Sequence, residues 1–324
     1  MGDVLLTLPA VVALKRHLPG ASFTYVVEEP FRELVENHPA LDHILVLPRP
    51  VGNRDFFRFI RNVRKNRFDA VLDFHGGPKA SLITLFSGAK RKIGYRIRYK
   101  GWIYHTTIPR HYDSGPVHSA ENHFNLVRLL GVETQDSPAI SFPPTDRKVQ
   151  EEADVVLRAL GLVSSKYIVF HVGAGNKFRF WGMDNMSAFL RQASEVFGLK
   201  IVLVGAPDDA ETEKALLEGG HSSVVSLVGR IGLKILHRLI SQAALYVGPD
   251  SGPMHIASAT STPIIALFGP TIPAQVGPWK SKCEILEKNL GCRPCRQRDC
   301  LSGDFACIRS IRPEEVIEAM RKYL

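Results

Sequence analysis

Asp250-Ser251-Gly252-Pro253-Met254-His255 packs an acid, a hydroxyl, a flexible glycine and an imidazole into one short stretch. The apolar run Leu245-Tyr246-Val247 precedes it and predicts a buried parallel strand, which Gly248-Pro249 is expected to stop. A small-residue helix is predicted over Met254–Ala259, with Ser251 and Gly252 supplying cap and turn chemistry. A second apolar strand, Ile264–Phe268, runs into Gly269-Pro270-Thr271. One crevice then receives a helix start and two strand ends, and free N–H groups at a helix start favour phosphate. Asp250, Ser251, Gly252 and His255 are therefore candidate binding residues. The plainer alternative is a capped turn in which His255 is a satisfied polar side chain.

Other strand ends carry further candidates. Gly173-Ala174-Gly175 follows an apolar run, yet the third glycine of a dinucleotide fingerprint would fall at Phe178, so that fingerprint fails. The two glycines with Ala174 can still bring backbone close to a pyrophosphate, and Arg179 can neutralise it. Trp181 reads as core. Asp208-Asp209 ends another strand, where a carboxylate can accept from ribose hydroxyls. Asp3 opens a helix in Gly2-Asp3-Val4-Leu5; taken alone it is an acid that favours the helix dipole. His118-Ser119-Ala120-Glu121 precedes an amphipathic helix, with His118 as cap, surface residue or ligand. Cys292, Cys295, Cys300 and Cys307 crowd one segment, and their spacing fits no common zinc pattern well; a zinc site or reduced thiols in a compact loop both stay open.

The chain that positions these groups has 324 residues, room for two domains. Its 45% hydrophobic and 23% charged residues describe a globular protein. No apolar stretch approaches the roughly 20 residues of a membrane span and no basic-then-apolar leader is seen, so a cytoplasmic location is expected. Net charge of +9 implies an anionic partner: nucleic acid, a phosphorylated substrate or a membrane surface. Basic residues concentrate between Arg49 and Arg110, including Arg61, Arg64 and Lys65. No nucleic-acid-binding pattern accompanies them, so nucleic acid is the least supported partner.

Strands and helices alternate, which argues for parallel sheets. The first series has strands Phe23–Val27, Ile44–Leu47, Ala70–Phe74 and Ile93–Tyr95. Its helices are the N-terminal one to His17, then Pro30–Glu36, Arg54–Lys65, Lys79–Ser87 and Ser119–Leu130. Ser137–Thr145 is proline-rich and aperiodic and reads as a linker. The second series has helices Asp146–Leu160, Asn185–Phe197, Ala210–Leu217 and Leu233–Ala243, with strands Tyr167–Phe170, Lys200–Val204 and Val224–Leu227 before the opening stretch. Arg312–Tyr323 is a terminal helix with Pro313 in its first turn. The expected architecture is α/β and GT-B-like: two Rossmann-like parallel-sheet domains, residues 1–145 and 146–311, facing a central cleft, with 312–324 as the terminal helix.

The D-[ST]-G-x-x-H pattern followed by F-G-P-T resembles the donor site of the family-9 glycosyltransferases, the ADP-heptose:lipopolysaccharide heptosyltransferases. The resemblance runs from Gly2 to the cysteine-rich tail. It implies an inverting transfer of heptose from ADP-heptose to a lipopolysaccharide core acceptor. Asp3 stands at the family's general base, Arg179 at its phosphate-binding lysine, and Asp209 where the family has glutamate. Backbone contacts to adenine fall near Ile231. The family's H-x-x-E maps onto His118 and Glu121; with Arg61, Arg64 and Lys65, His118 would hold the phosphates or acidic sugars of a lipid-anchored oligosaccharide, with peripheral contact at the inner membrane. In that family a short strand precedes the matching G-D-V-L, so about ten residues and the first strand are expected to be missing here. No D-x-D triplet occurs, which favours departure of ADP without a metal and no required cofactor. A transferase using another nucleotide sugar, or a non-catalytic nucleotide- or nucleic-acid-binding protein, are the alternatives.

Overall fold

The computed structural model describes residues 1–110, 115–133, 137–173 and 175–324. The chain divides into two compact units, built on Asp3–Pro144 and on Thr145–Leu324. Both are α/β, and every strand pairing described in them is parallel.

The first unit comprises α1 (Gly2–His17), β1 (Thr24–Glu28), β2 (His43–Leu47), α2 (Asn53–Lys65), β3 (Ala70–Leu72), α3 (Pro78–Phe86), β4 (Arg91–Tyr95), β5 (Thr106–Ile108) and α4 (Ser119–Arg128). The strands form two sheets, β1-β2 and β3-β4-β5. The helix expected over Pro30–Glu36 is instead a 3-10 turn, Glu29–Leu34, which buries only Leu34 and has too little apolar stripe for a longer helix. Helix α1 is buried along most of its length, with Leu5, Leu6 and Leu8 nearly inaccessible. Its Ala10, Ala13 and Leu14 share a cluster with Phe124 and Val127 of α4. Helix α2 buries Phe59, Ile60 and Val63 beside Leu47 and Ile83, and leaves Arg61, Arg64 and Lys65 exposed.

The second unit comprises α5 (Arg147–Ala159), β6 (Tyr167–His171), α6 (Met183–Phe197), β7 (Lys200–Val204), α7 (Ala210–Leu217), β8 (Val224–Ser226), α8 (Leu233–Ser241), β9 (Leu245–Pro249), α9 (Gly252–Ala257), β10 (Ile264–Phe268), α10 (Pro273–Val276), β11 (Cys283–Glu287), α11 (Ala306–Arg309) and α12 (Pro313–Met320). Its sheet has the order β11-β10-β9-β6-β7-β8. The chain builds outward from β6 to β7 and β8, then returns to the other side of β6 for β9, β10 and β11. The strand order therefore reverses between β6 and β9, and the crevice beyond their carboxyl ends is where open α/β sheets take ligands.

Two expectations need correction here. Gly248-Pro249 does not stop the strand: β9 continues through Pro249. Pairing with β6 ends at Val247, so the N–H that Pro249 lacks costs no ladder bond, while Asp250 N–H still donates to the Leu267 carbonyl (3.0 Å). The following helix starts at Gly252, with Pro253 in its first turn, and ends at Ala257. The terminal helix expected over Arg312–Tyr323 is α12, and its Val316, Ile317, Ala319 and Met320 join the core formed by β6, β7, β9 and α6.

Candidate functional site

The carboxyl ends of β6 and β9 are tied directly together. His171, the last residue of β6, is buried and places Nδ1 3.0 Å from Ser251 Oγ, and the same hydroxyl donates to the Pro249 carbonyl (3.0 Å). Gly248 lets them approach: a Cβ there would lie 2.9 Å from the His171 Cβ. His171 was not among the residues singled out by spacing; only the strand order shows that it underlies Ser251.

After β6 the chain passes Gly173 and Gly175 into a turn capped by Asn176, whose Oδ1 accepts from Phe178 N–H (3.0 Å). Ala174, expected with these glycines, lies outside the described residues. The turn delivers Arg179 to the end of β9. Arg179 Nη1 donates to the Asp250 carbonyl (2.9 Å) and lies 3.4 Å from Asp250 Oδ2. That carboxylate oxygen also accepts from Thr271 Oγ1 (2.6 Å). Burial pushes the Asp250 carboxyl above the ordinary carboxylate range, with Arg179 and then Thr271 pulling it back. Asp250 is 4% exposed and Arg179 26%. The arrangement makes Asp250 the buried anchor and leaves the guanidinium at the surface of the crevice. Gly252 opens α9 and His255 is buried within it.

Asp209 ends a 3-10 turn after β7 and lies over Gly173, where a Cβ would come within 2.0 Å of Oδ2. One of its oxygens accepts from Ala206 N–H (2.7 Å), and burial raises its pKa. Ile231 is half-buried in the loop between β8 and α8. The donor candidates Gly173, Asp209, Arg179, Asp250 and Ser251 thus gather along adjoining strand ends of one sheet.

In the first unit, Asp3 is exposed in the first turn of α1. His118 caps α4, its Nδ1 accepting from Ala120 N–H (3.2 Å), and Glu121 pairs with Arg128 (2.9 Å). Arg61, Arg64 and Lys65 occupy the exposed face of α2. A further feature of this unit escaped sequence reasoning. The buried Asp73 at the end of β3 accepts from the backbone N–H groups of His75 (3.0 Å) and Gly76 (2.7 Å) and from Tyr104 Oη (2.7 Å). It fixes the loop that leads into α3.

The cysteines are free thiols. Among the described residues, no three His, Cys, Asp or Glu side chains are gathered as a metal site requires. Hydrogen bonds from Ser302 and the Phe305 N–H hold the Cys300 thiol below its ordinary range, while burial pushes Cys307 up. Cys295 N–H donates to the Pro270 carbonyl (3.2 Å), which seats the cysteine segment on the loop bearing Thr271.

The sequence profile of Glycosyltransferase family 9 (heptosyltransferase) matches residues 56–305. The chain belongs to that family. As a family 9 glycosyltransferase, it is 26% identical over 336 residues to lipopolysaccharide heptosyltransferase 3 of Escherichia coli strain K12, covering 100% of this chain and 95% of that one. Lipopolysaccharide heptosyltransferase 1 of Salmonella typhimurium is 28% identical over 306 residues, covering 90% and 93%. A glycosyl transferase family 9 structure from Veillonella parvula has a TM-score of 0.88 at 21% identity, covering 100% and 94% of the two chains. The E. coli heptosyltransferase WaaC solved with ADP has a TM-score of 0.74 at 21% identity, covering 100% and 97%. These likenesses show the GT-B type of fold. Asp3 precedes the stretch matched by the family profile. No helix among the described residues is long and apolar enough to cross a membrane.

The buried imidazoles of this glycosyltransferase set its acid response. Burial lowers His171 from 6.5 to about 3 and His237 to about 4, and in the first unit it lowers His123 to about 3. A lowered imidazole leaves the unfolded chain binding more protons below pH 6.5, so stability is full above that value and falls as pH drops. Each group contributes about 1.4 kcal/mol per pH unit in this window. Asp250 and Asp209, raised by burial, act in the opposite direction, but only as pH enters the carboxylate range. Thermal midpoints should therefore fall steadily between pH 6.5 and 5, and His171→Gln should flatten part of that slope; a midpoint independent of pH across the window would refute the assignment.

Proposed function

We propose that this chain transfers heptose from ADP-heptose to a lipopolysaccharide core acceptor, with inversion at the anomeric carbon. The observation that carries the reading is the approach of Arg179, Asp250 and Ser251 at the point where the sheet reverses strand order. Charge of one sign develops on a diphosphate as its bond to sugar breaks, and a guanidinium fixed by a buried carboxylate meets it without reorganising. Gly173 and Gly175 give the backbone access to the diphosphate, with Ser251, Gly252 and His255 on its other side. Asp209 accepts from ribose through the oxygen not used on Ala206, and the backbone at Ile231 faces adenine. The names of the relatives and the ADP held by the E. coli enzyme support the donor.

The transfer needs one base and no cofactor. Asp3 takes the proton of the acceptor hydroxyl, whose oxygen attacks the anomeric carbon; the bond to the β-phosphate oxygen breaks and ADP leaves with the electron pair. Arg61, Arg64, Lys65 and His118 bind the anionic, lipid-anchored acceptor. Their basic face suits peripheral work at the cytoplasmic side of the inner membrane, where such an acceptor lies.

Calorimetry with ADP, UDP and GDP in the absence of magnesium tests the donor. ADP should bind at least tenfold more tightly than the others, and ADP-heptose should then be consumed in the presence of acceptor. Preference for UDP or GDP would keep a glycosyltransferase and discard heptose; binding that depends on nucleic acid would discard both.

A further inference from the structure

The segment from Leu290 to Phe305 carries three of the clustered cysteines and has no role in the reading above. It is nevertheless bound to the crevice at its middle. Gln297 Oε1 accepts from Arg179 Nε (3.2 Å) and from Asn176 Nδ2 (2.8 Å). Asn176 is the residue whose other amide atom caps the turn that carries Arg179. One amide oxygen thus holds both the guanidinium and the turn beneath it. Asp250 grips Arg179 through Nη1, so Gln297 and Asp250 fix the planar group from two of its nitrogens.

The segment is built to present this residue. Arg293, largely buried, donates to the Thr271 carbonyl (2.9 Å) and pairs with Glu287 (2.6 Å). Cys295 N–H adds the bond to Pro270. Gln297 itself has φ +55°, a conformation that residues other than glycine seldom adopt and that surrounding contacts must hold.

We propose that Gln297 is a positioning residue for Arg179, and that the cysteine-bearing segment belongs to the donor site through it. The proposal rests on the reading of Arg179 as the diphosphate's partner. Without Gln297 the guanidinium keeps its charge but loses one of its two anchors, so donor affinity falls while the fold persists.

The test combines ADP calorimetry with the Arg179 Nε–H resonance, assigned by its disappearance in Arg179→Ala. Gln297→Ala should weaken ADP binding about 10- to 150-fold, the size of a hydrogen bond to a charged group. Gln297→Glu, which keeps an acceptor oxygen, should stay within about threefold of the parent. In the Arg179→Ala background the Gln297→Ala change should have almost no further effect, because the two act through one contact. The Nε–H resonance should exchange with water faster in Gln297→Ala and keep its parental rate in Gln297→Glu. Losses that add in the double variant, or a resonance indifferent to Gln297→Ala, would overturn the positioning role. If Arg179→Ala leaves ADP affinity unchanged while the resonance still responds to Gln297→Ala, the donor reading fails and the contact stands as structural.

Discussion

Asp3→Asn is expected to lower kcat by about 10²–10⁴-fold, with ADP affinity changed less than about twofold, as for loss of a general base. The substitution separates the two roles open to this side chain. Asp3 is exposed in the first turn of α1 and buries nothing, so as a dipole-favouring acid it is worth only about 0.3–1 kcal/mol of stability. Asparagine keeps the shape and most of the hydrogen bonding and cannot accept the proton. A variant with full turnover and slightly lowered thermal stability would leave Asp3 as a helix-terminal acid. Pre-steady-state measurement with saturating donor and acceptor is the decisive form of the experiment, because it isolates the bond-breaking step from product release.

Trp181→Ala should cost about 3–5 kcal/mol of unfolding free energy, in the range of other aromatic deletions from a packed core. The indole is fully buried, meets Phe170 edge-on at 6.3 Å between centroids and lies 5.8 Å from Phe189. Its Nε1–H donates to the Ile311 carbonyl (2.7 Å), so truncation also strands a buried acceptor. Trp181→Phe should therefore fall between parent and alanine variant, recovering the ring but not the hydrogen bond. Urea denaturation measures both; a loss below about 1 kcal/mol for alanine would move Trp181 out of the core and toward the ligand.

Trp181 also shows how sequence and structure divided the problem. Its core role followed from residue type alone, whereas its partners Phe170, Phe189 and Ile311 needed the fold. The interior strands of the second sheet were legible because β6, β7, β9 and β10 are continuous apolar runs bounded by glycine, proline or charge. The edge strand β11 was not: Cys283-Glu284-Ile285-Leu286-Glu287 mixes charge with apolar residues, as a strand covered on one side tolerates. The short β5, Thr106–Ile108, was missed because three residues, two of them threonine, are too few to show a period.

The candidate site was legible where its residues stand close in sequence, as from Asp250 to His255. Contacts that close over long distances were invisible. His171 meets Ser251 across 80 positions, and Gln297 reaches Arg179 across 118. Only the strand order brings the first pair together, and only the path of the cysteine segment brings the second. His118 illustrates the converse: an acceptor-site pattern and a helix cap call for the same residue, and the cap is the bond the structure contains.

The reversal of strand order between β6 and β9 has a consequence for how the chain matures. In the second unit the pairs β6-β7 and β7-β8 join neighbours in sequence, whereas the central pair sets Ile168 against Leu245. A nascent chain can close the first two pairs while its later residues are still being made. The middle of the sheet must wait until β9 has emerged, and its closure carries the entropy of a long loop. The crevice lies on that late seam, and its anchors Thr271, Arg293 and Gln297 come later still. The crevice is thus assembled only after β9 has emerged, so a half-made chain presents the β6 edge without the groups that later cover it.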